Sequence, residues 1–141
     1  MKAGKTISQG ILLAAAVAAM PAVTAAPAKI DVPILLGGSE DVDACEGGGV
    51  IVGLNPRGDG FLSVRSGPAG KYSELDRLYN GNIVHICGYR GAWMAVIYPA
   101  DGTPANGTNC GTGRPWPTRQ AYTGPCKYGW VSSRYVKGIA G

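Results

Sequence analysis

The sequence predicts an all-β domain, a small barrel or sandwich built from five or six short strands. Three observations predict it. Short apolar runs recur, either alternating with polar residues or bounded by glycine. Turn signals separate them about every 8–12 residues. No stretch beyond residue 43 carries the sustained periodicity of a long amphipathic helix. Glycine (23) and proline (10) make up nearly a quarter of the 141 residues without a strict repeat, which suits tight turns and excludes collagen.

The first residues are expected to lie outside that domain. Lys2 and Lys5 precede an apolar run, Ile11 to Ala19, and then the small residues Val23-Thr24-Ala25-Ala26. A basic start, a short apolar stretch and a small-residue site predict a secretory signal cut after Ala25. An uncleaved anchor is the alternative, but the run is short for a membrane span and Pro21 interrupts its end. Residues 26–43 read as a flexible linker with two prolines, a glycine pair and an acidic end. Val32 and Ile34-Leu35-Leu36 leave open one short strand, or docking on the domain.

The domain proper is expected over residues 44–141. Gly48 to Leu54 reads as a first strand, and Asn55 to Gly60 as a dense turn. Phe61-Leu62-Ser63-Val64-Arg65 alternates, with Leu62 and Val64 on one face. Leu75 to Tyr79 follows, then Asn80-Gly81 as a hairpin turn. Ile83 to Cys87 and Trp93 to Tyr98 read as partners around a turn at Gly88 to Gly91. Five prolines between Pro99 and Pro125 exclude regular strand over most of that span. A loop of this length inside a small domain is often functional. Tyr128 to Ser132 is a closing strand, and Ser133 to Val136 a helical turn or a last edge.

Four cysteines, Cys45, Cys87, Cys110 and Cys126, predict two disulfides in an exported chain. The favoured pairing is Cys45–Cys87 with Cys110–Cys126, because the second pair closes the proline-rich stretch that has few strands to hold it. Chain entropy assigns ~3 kcal/mol to that loop and ~4 kcal/mol to the longer one. Zinc is the rival reading, but no two cysteines stand at CxxC spacing and His85 is the sole histidine. No metal or cofactor is expected.

Charge is divided along the chain. Residues 26–43 carry a net −3 and residues 44–141 a net +5. This is too weak for a dedicated nucleic-acid binder. It suits anionic envelope polymers, or simply solubility.

The ordered pieces resemble the bacterial Src homology 3 (SH3b) family. Leu62-Ser63-Val64-Arg65-Ser66-Gly67-Pro68 resembles its L-x-V-R-x-G-P signature, with Tyr72 at the family's spacing. Leu78 to Val84 is similar to its L-x-x-G-x-x-V hairpin, and Gly129-Trp130-Val131 to its closing G-W-V strand. Gly58 to Leu62 and Tyr122 to Cys126, with the extra cysteine pair, are similar to a small exported proteobacterial subgroup. The resemblance implies an SH3-like barrel of five to seven strands and envelope-associated recognition. It also implies that Trp93 and Tyr135 line a groove beside the barrel. Ser132 and Arg134 stand where eukaryotic relatives carry Pro and Asn, so binding of proline-rich peptides is not implied.

Catalysis finds little support. Strand period turns His85 away from Val84 and Ile86, toward the surface. Disulfides would consume every thiol, and no G-x-S-x-G elbow is present. No catalytic residue is assigned. Arg57-Gly58-Asp59 and Asn106-Gly107-Thr108 match short motifs but read as turns. Aromatics are in excess, and a ring with a polar edge suits peptide recognition. Tyr72, Trp93, Trp116, Trp130 and Tyr135 are the candidate ligand-binding residues. Trp116 stands between two prolines, with Arg114 and Arg119 placed to pair with carboxylates. The expected function is a periplasmic or secreted recognition module, monomeric, without stable membrane insertion. Its expected partner is a cell-wall peptide or a periplasmic protein. A structural envelope component, and a small hydrolase or enzyme inhibitor, are the alternatives.

Overall fold

Two-residue alternation builds the sheet and gives it two apolar faces. Along Trp93–Tyr98, Met94, Val96 and Tyr98 point into one core while Ala95 and Ile97 point into another. Along Ile83–Arg90, Val84 and Ile86 join the first core and Cys87 the second. The computed structural model describes residues 2–5, 10–21 and 30–139. The expected cleavage point after Ala25 lies outside them. Residues 10–21 are exposed and carry no regular structure. Among the described residues, no helix is long and apolar enough to cross a membrane.

The fold is all-β. In chain order the strands are β1 (Leu35–Leu36), β2 (Gly47–Ile51), β3 (Leu62–Arg65), β4 (Glu74–Leu78) and β5 (Ile83–Arg90). They continue as β6 (Trp93–Tyr98), β7 (Gln120–Ala121), β8 (Lys127–Ser132) and β9 (Val136–Ile139). A 3-10 turn, Ser133–Tyr135, joins the last two. Seven strands form one antiparallel sheet in the order β4-β3-β8-β6-β5-β2-β9, while β1 and β7 pair separately.

The expected closed barrel is not found. The sheet ends on β4 and β9, and no pairing joins these edges. Register shifts at Val64/Arg65 and Ile86/Gly88 interrupt its ladders, and such bulges bend strands. β3 meets β8 through the single pair Arg65↔Trp130. Gly129 lies so close to Val64 and the Arg65 carbonyl that a side chain there would displace one of them.

The expected hairpin at Asn80-Gly81 also differs. β4 pairs with β3, and β5 with β2 and β6, so the turn joins strands that are not neighbours. The Asn82 N–H closes the turn on the Tyr79 carbonyl at 3.0 Å, and further hydrogen bonds tie it to the end of β2. The Gly81 N–H donates to the Ile51 carbonyl at 2.8 Å, and the Asn80 amide both donates to and accepts from the Leu54 backbone. Gly81 turns with φ +91°. The tight hairpin lies between β5 and β6, with Gly91 at φ +57°, because β5 runs on through Tyr89 and Arg90.

Residues 30–43, read as a linker with one short strand or docking left open, are built into the fold by that second course. Ile34 and Leu36 are buried in the second core. Their burial stabilises the fold by roughly 1.5–3 kcal/mol each. This strap is held at its ends. The Asp31 and Val32 N–H groups donate to the Ser66 carbonyl, and Trp130 Nε1 donates to the Val32 carbonyl at 2.9 Å. Further on, Gly38, Ala44 and Cys45 donate to the carbonyls of Trp116, Arg114 and Thr112.

The strap and the 99–125 loop together cover the outer face of the sheet. That is why His85 is buried rather than exposed: the loop brings Thr112 Oγ1 to 2.5 Å from His85 Nδ1. Two disulfides, Cys45–Cys87 and Cys110–Cys126, fasten this layer in the pairing favoured from the sequence. They are consistent with an oxidising, extracytoplasmic environment.

Candidate functional site

A cleft of about 340 Å³ lies between the strap and the faces of β5, β6 and β8. Its volume is at the lower end of ligand-binding pockets. The strap supplies one wall. Gly37 turns it at φ +85°, and a Cβ there would come within 2.6 Å of the Trp116 carbonyl. Only glycine permits both the conformation and the approach. Beyond this bend, Ser39, Val42 and Asp43 face the cleft. The end of β5 supplies Tyr89 and Arg90 to the lining, and Arg119, the residue before β7, lies beside Gly38 of the strap.

Trp130 forms part of the lining from β8. The ring is buried and its N–H is used on Val32. The Arg90 guanidinium stands 5.6 Å from the ring centre. A guanidinium over an indole face is attracted by the ring's negative quadrupole, which restrains the arginine. Burial raises the Tyr89 hydroxyl above its ordinary value, and the neighbouring Glu46 carboxylate adds to this. The phenol is therefore a neutral donor at physiological pH.

The rim is apolar. Six large apolar or aromatic side chains are exposed among residues 30–139, and Leu35, Val42 and Tyr89 all line this one cleft. Exposed apolar surface concentrated at a concavity marks an interaction site better than the same residues scattered.

The cleft also carries opposite charges that do not meet. Among the described residues, ion pairs join Arg77 to Glu74 and Lys127 to Asp76. None joins Asp43 to Arg90 or Arg119, although all three line the same space.

The five aromatics singled out from the sequence do not share one groove. Trp130 lines the cleft. Trp116 borders a separate hollow with Arg114 and Gln120, its ring stacked on Tyr122 at 6.1 Å and its N–H donated to the Gly111 carbonyl. Trp93 packs against the second core and Tyr135 against the first. The Tyr72 ring lies over Gly67, where an added Cβ would sit 2.6 Å from it. Tyr72, Trp93 and Tyr135 line neither hollow.

Sequence reading missed Leu35, Val42, Asp43, Tyr89 and Arg90. The first three fell in the apparent linker and the last two in an apparent turn. The apolar triplet Ile34-Leu35-Leu36, which left a short strand or docking open, was the signal for the strap, since a solvated linker gains nothing from it. Comparison with protein-family models, with curated proteins and with solved structures returned no match for this chain.

Proposed function

We propose that this chain is an exported, non-catalytic recognition module of the bacterial SH3 type that binds short peptides of the cell envelope at the strap cleft. The observation that carries the reading is the cleft itself, with exposed apolar side chains in its lining and Arg90 beside Trp130. Aromatic and arginine side chains around a preformed concavity are the usual composition of energetically dominant binding contacts. The SH3-type assignment draws support from strand β3 in the L-x-V-R stretch and strand β8 in the G-W-V stretch. Export is supported by the basic, apolar and small-residue order of the first residues, and by the two disulfides.

The test is retention of the oxidised protein on purified, insoluble peptidoglycan. We expect retention above that of a bead control. Tyr89→Ala should lower it about tenfold, the usual loss for an aromatic contact worth over 1 kcal/mol. Absence of retention above the control would sink the envelope reading. A protein partner is the second reading, favoured by the exposed Leu35 and Val42. Crosslinking from position 89 in the periplasm that recovers one abundant protein would select it.

A further inference from the structure

We infer that the strap cleft is selective for a zwitterionic ligand, a short peptide fragment presenting a free ammonium and a free carboxylate together. The inference rests on the reading of this cleft as a recognition site and names the chemistry of what it takes.

The observation is the unpaired opposition of charge. Arg90, Arg119 and Asp43 line one space of about 340 Å³, and no ion pair joins Asp43 to either arginine. A ligand with one charge of each sign can meet both kinds of group at once. A carboxylate takes paired N–H donors from a guanidinium, and an ammonium donates to a carboxylate, both charge-assisted contacts. An anion alone would satisfy the arginines and leave Asp43 facing it. A cation alone would do the reverse. Like-charge juxtaposition of that kind discriminates against wrong ligands more than it adds affinity for the right one.

The surroundings limit size and shape. The volume suits one or two amino-acid residues rather than an extended chain. Arg90 is restrained against Trp130, so its fork is partly ordered before binding. Leu35, Val42 and Tyr89 offer apolar area for a small aliphatic side chain at the rim.

The experiment is a titration of the oxidised, isotope-labelled full chain, followed by amide and indole N–H resonances. The probes are alanyl-alanine, its N-acetyl form and its C-terminal amide. The free dipeptide should bind with a Kd of about 1 mM. Shifts should concentrate at Tyr89, Arg90, Arg119 and the Trp130 indole. Each blocked form should bind about tenfold more weakly, the loss expected for one charge-assisted hydrogen bond.

Variants assign the charges. Asp43→Asn should abolish the preference for the free ammonium and keep that for the free carboxylate. Arg90→Gln combined with Arg119→Gln should do the opposite. All three residues are exposed, so these changes leave the cores intact. Equal affinity for free and blocked dipeptides overturns the inference, as does the absence of shifts at these residues. Retention on peptidoglycan with equal affinities would overturn this inference alone. Discrimination among the dipeptides without such retention would overturn the envelope reading alone.

Discussion

His85 is the residue whose chemistry depends most on the second layer. Desolvation lowers its pKa from the ordinary 6.5, and the nearby Asp43 charge partly opposes this. The folded protein therefore holds the ring neutral at a pH where the unfolded chain already binds a proton. Between about 6.5 and the lower folded value, the unfolded state carries more protons, so stability falls as pH falls. Thermal unfolding from pH 7.5 down to 5 should show a declining midpoint. His85→Gln should flatten that decline, and an unchanged slope would remove His85 as its cause. Asp76 behaves oppositely in origin. Burial would raise its carboxyl, but the Arg77 N–H, the Tyr98 hydroxyl at 2.9 Å and Lys127 at 3.1 Å hold it below the usual value. The stability it contributes is present above pH 3.8 and is lost on acidification through its folded pKa.

Among elements, the strap has large consequences for very little regular structure. β1 is two residues long and pairs with β7 through Leu35↔Ala121 and Leu36↔Gln120. Two ladder positions cannot hold a strand alone. Burial of Ile34 and Leu36 supplies the rest. Leu36→Ala should cost 2–5 kcal/mol by the usual transfer and cavity terms. Denaturant unfolding measures it, and a loss below about 0.5 kcal/mol, the size of an ordinary surface substitution, would contradict the burial described. The 99–125 loop is the strap's counterpart. Tyr122 ties it internally, donating from its hydroxyl to the Cys110 carbonyl at 3.0 Å and accepting from the Cys126 N–H at 3.2 Å.

On the scale of the whole molecule, one sheet carries two cores of different construction. The first is made by strands and holds the regular apolar alternation. The second is made by the strap, the loop and both disulfides against the sheet's outer face. The second core should therefore loosen first on reduction. Brief proteolysis after treatment with dithiothreitol should cut within residues 99–125 and 30–44 before it cuts β3 to β6. Simultaneous loss of both regions would show that the two layers unfold as one. The strands of the main sheet were legible because Leu62/Val64, Val84/Ile86 and Met94/Val96 repeat at the strand period, and local repetition needs no knowledge of the partner. The pairing of Cys110 with Cys126 was legible because a proline-rich loop needs a closure. Three features depended on contacts distant in sequence. They are the strap on β7, more than 80 residues away, the burial of His85 beneath Thr112, and the passage of the chain from β4 to β5 without a hairpin. By itself the sequence determined the all-β class, the positions of the main strands and the cysteine frame, since these follow from local periodicity and count. Tertiary structure alone decided that the sheet stays open, that its outer face is covered, and that Tyr89, Arg90, Arg119 and Asp43 meet around one cleft. The physical reason is that burial of Ile34, Leu36 and Tyr122 is a property of two segments brought together, and neither segment carries it alone.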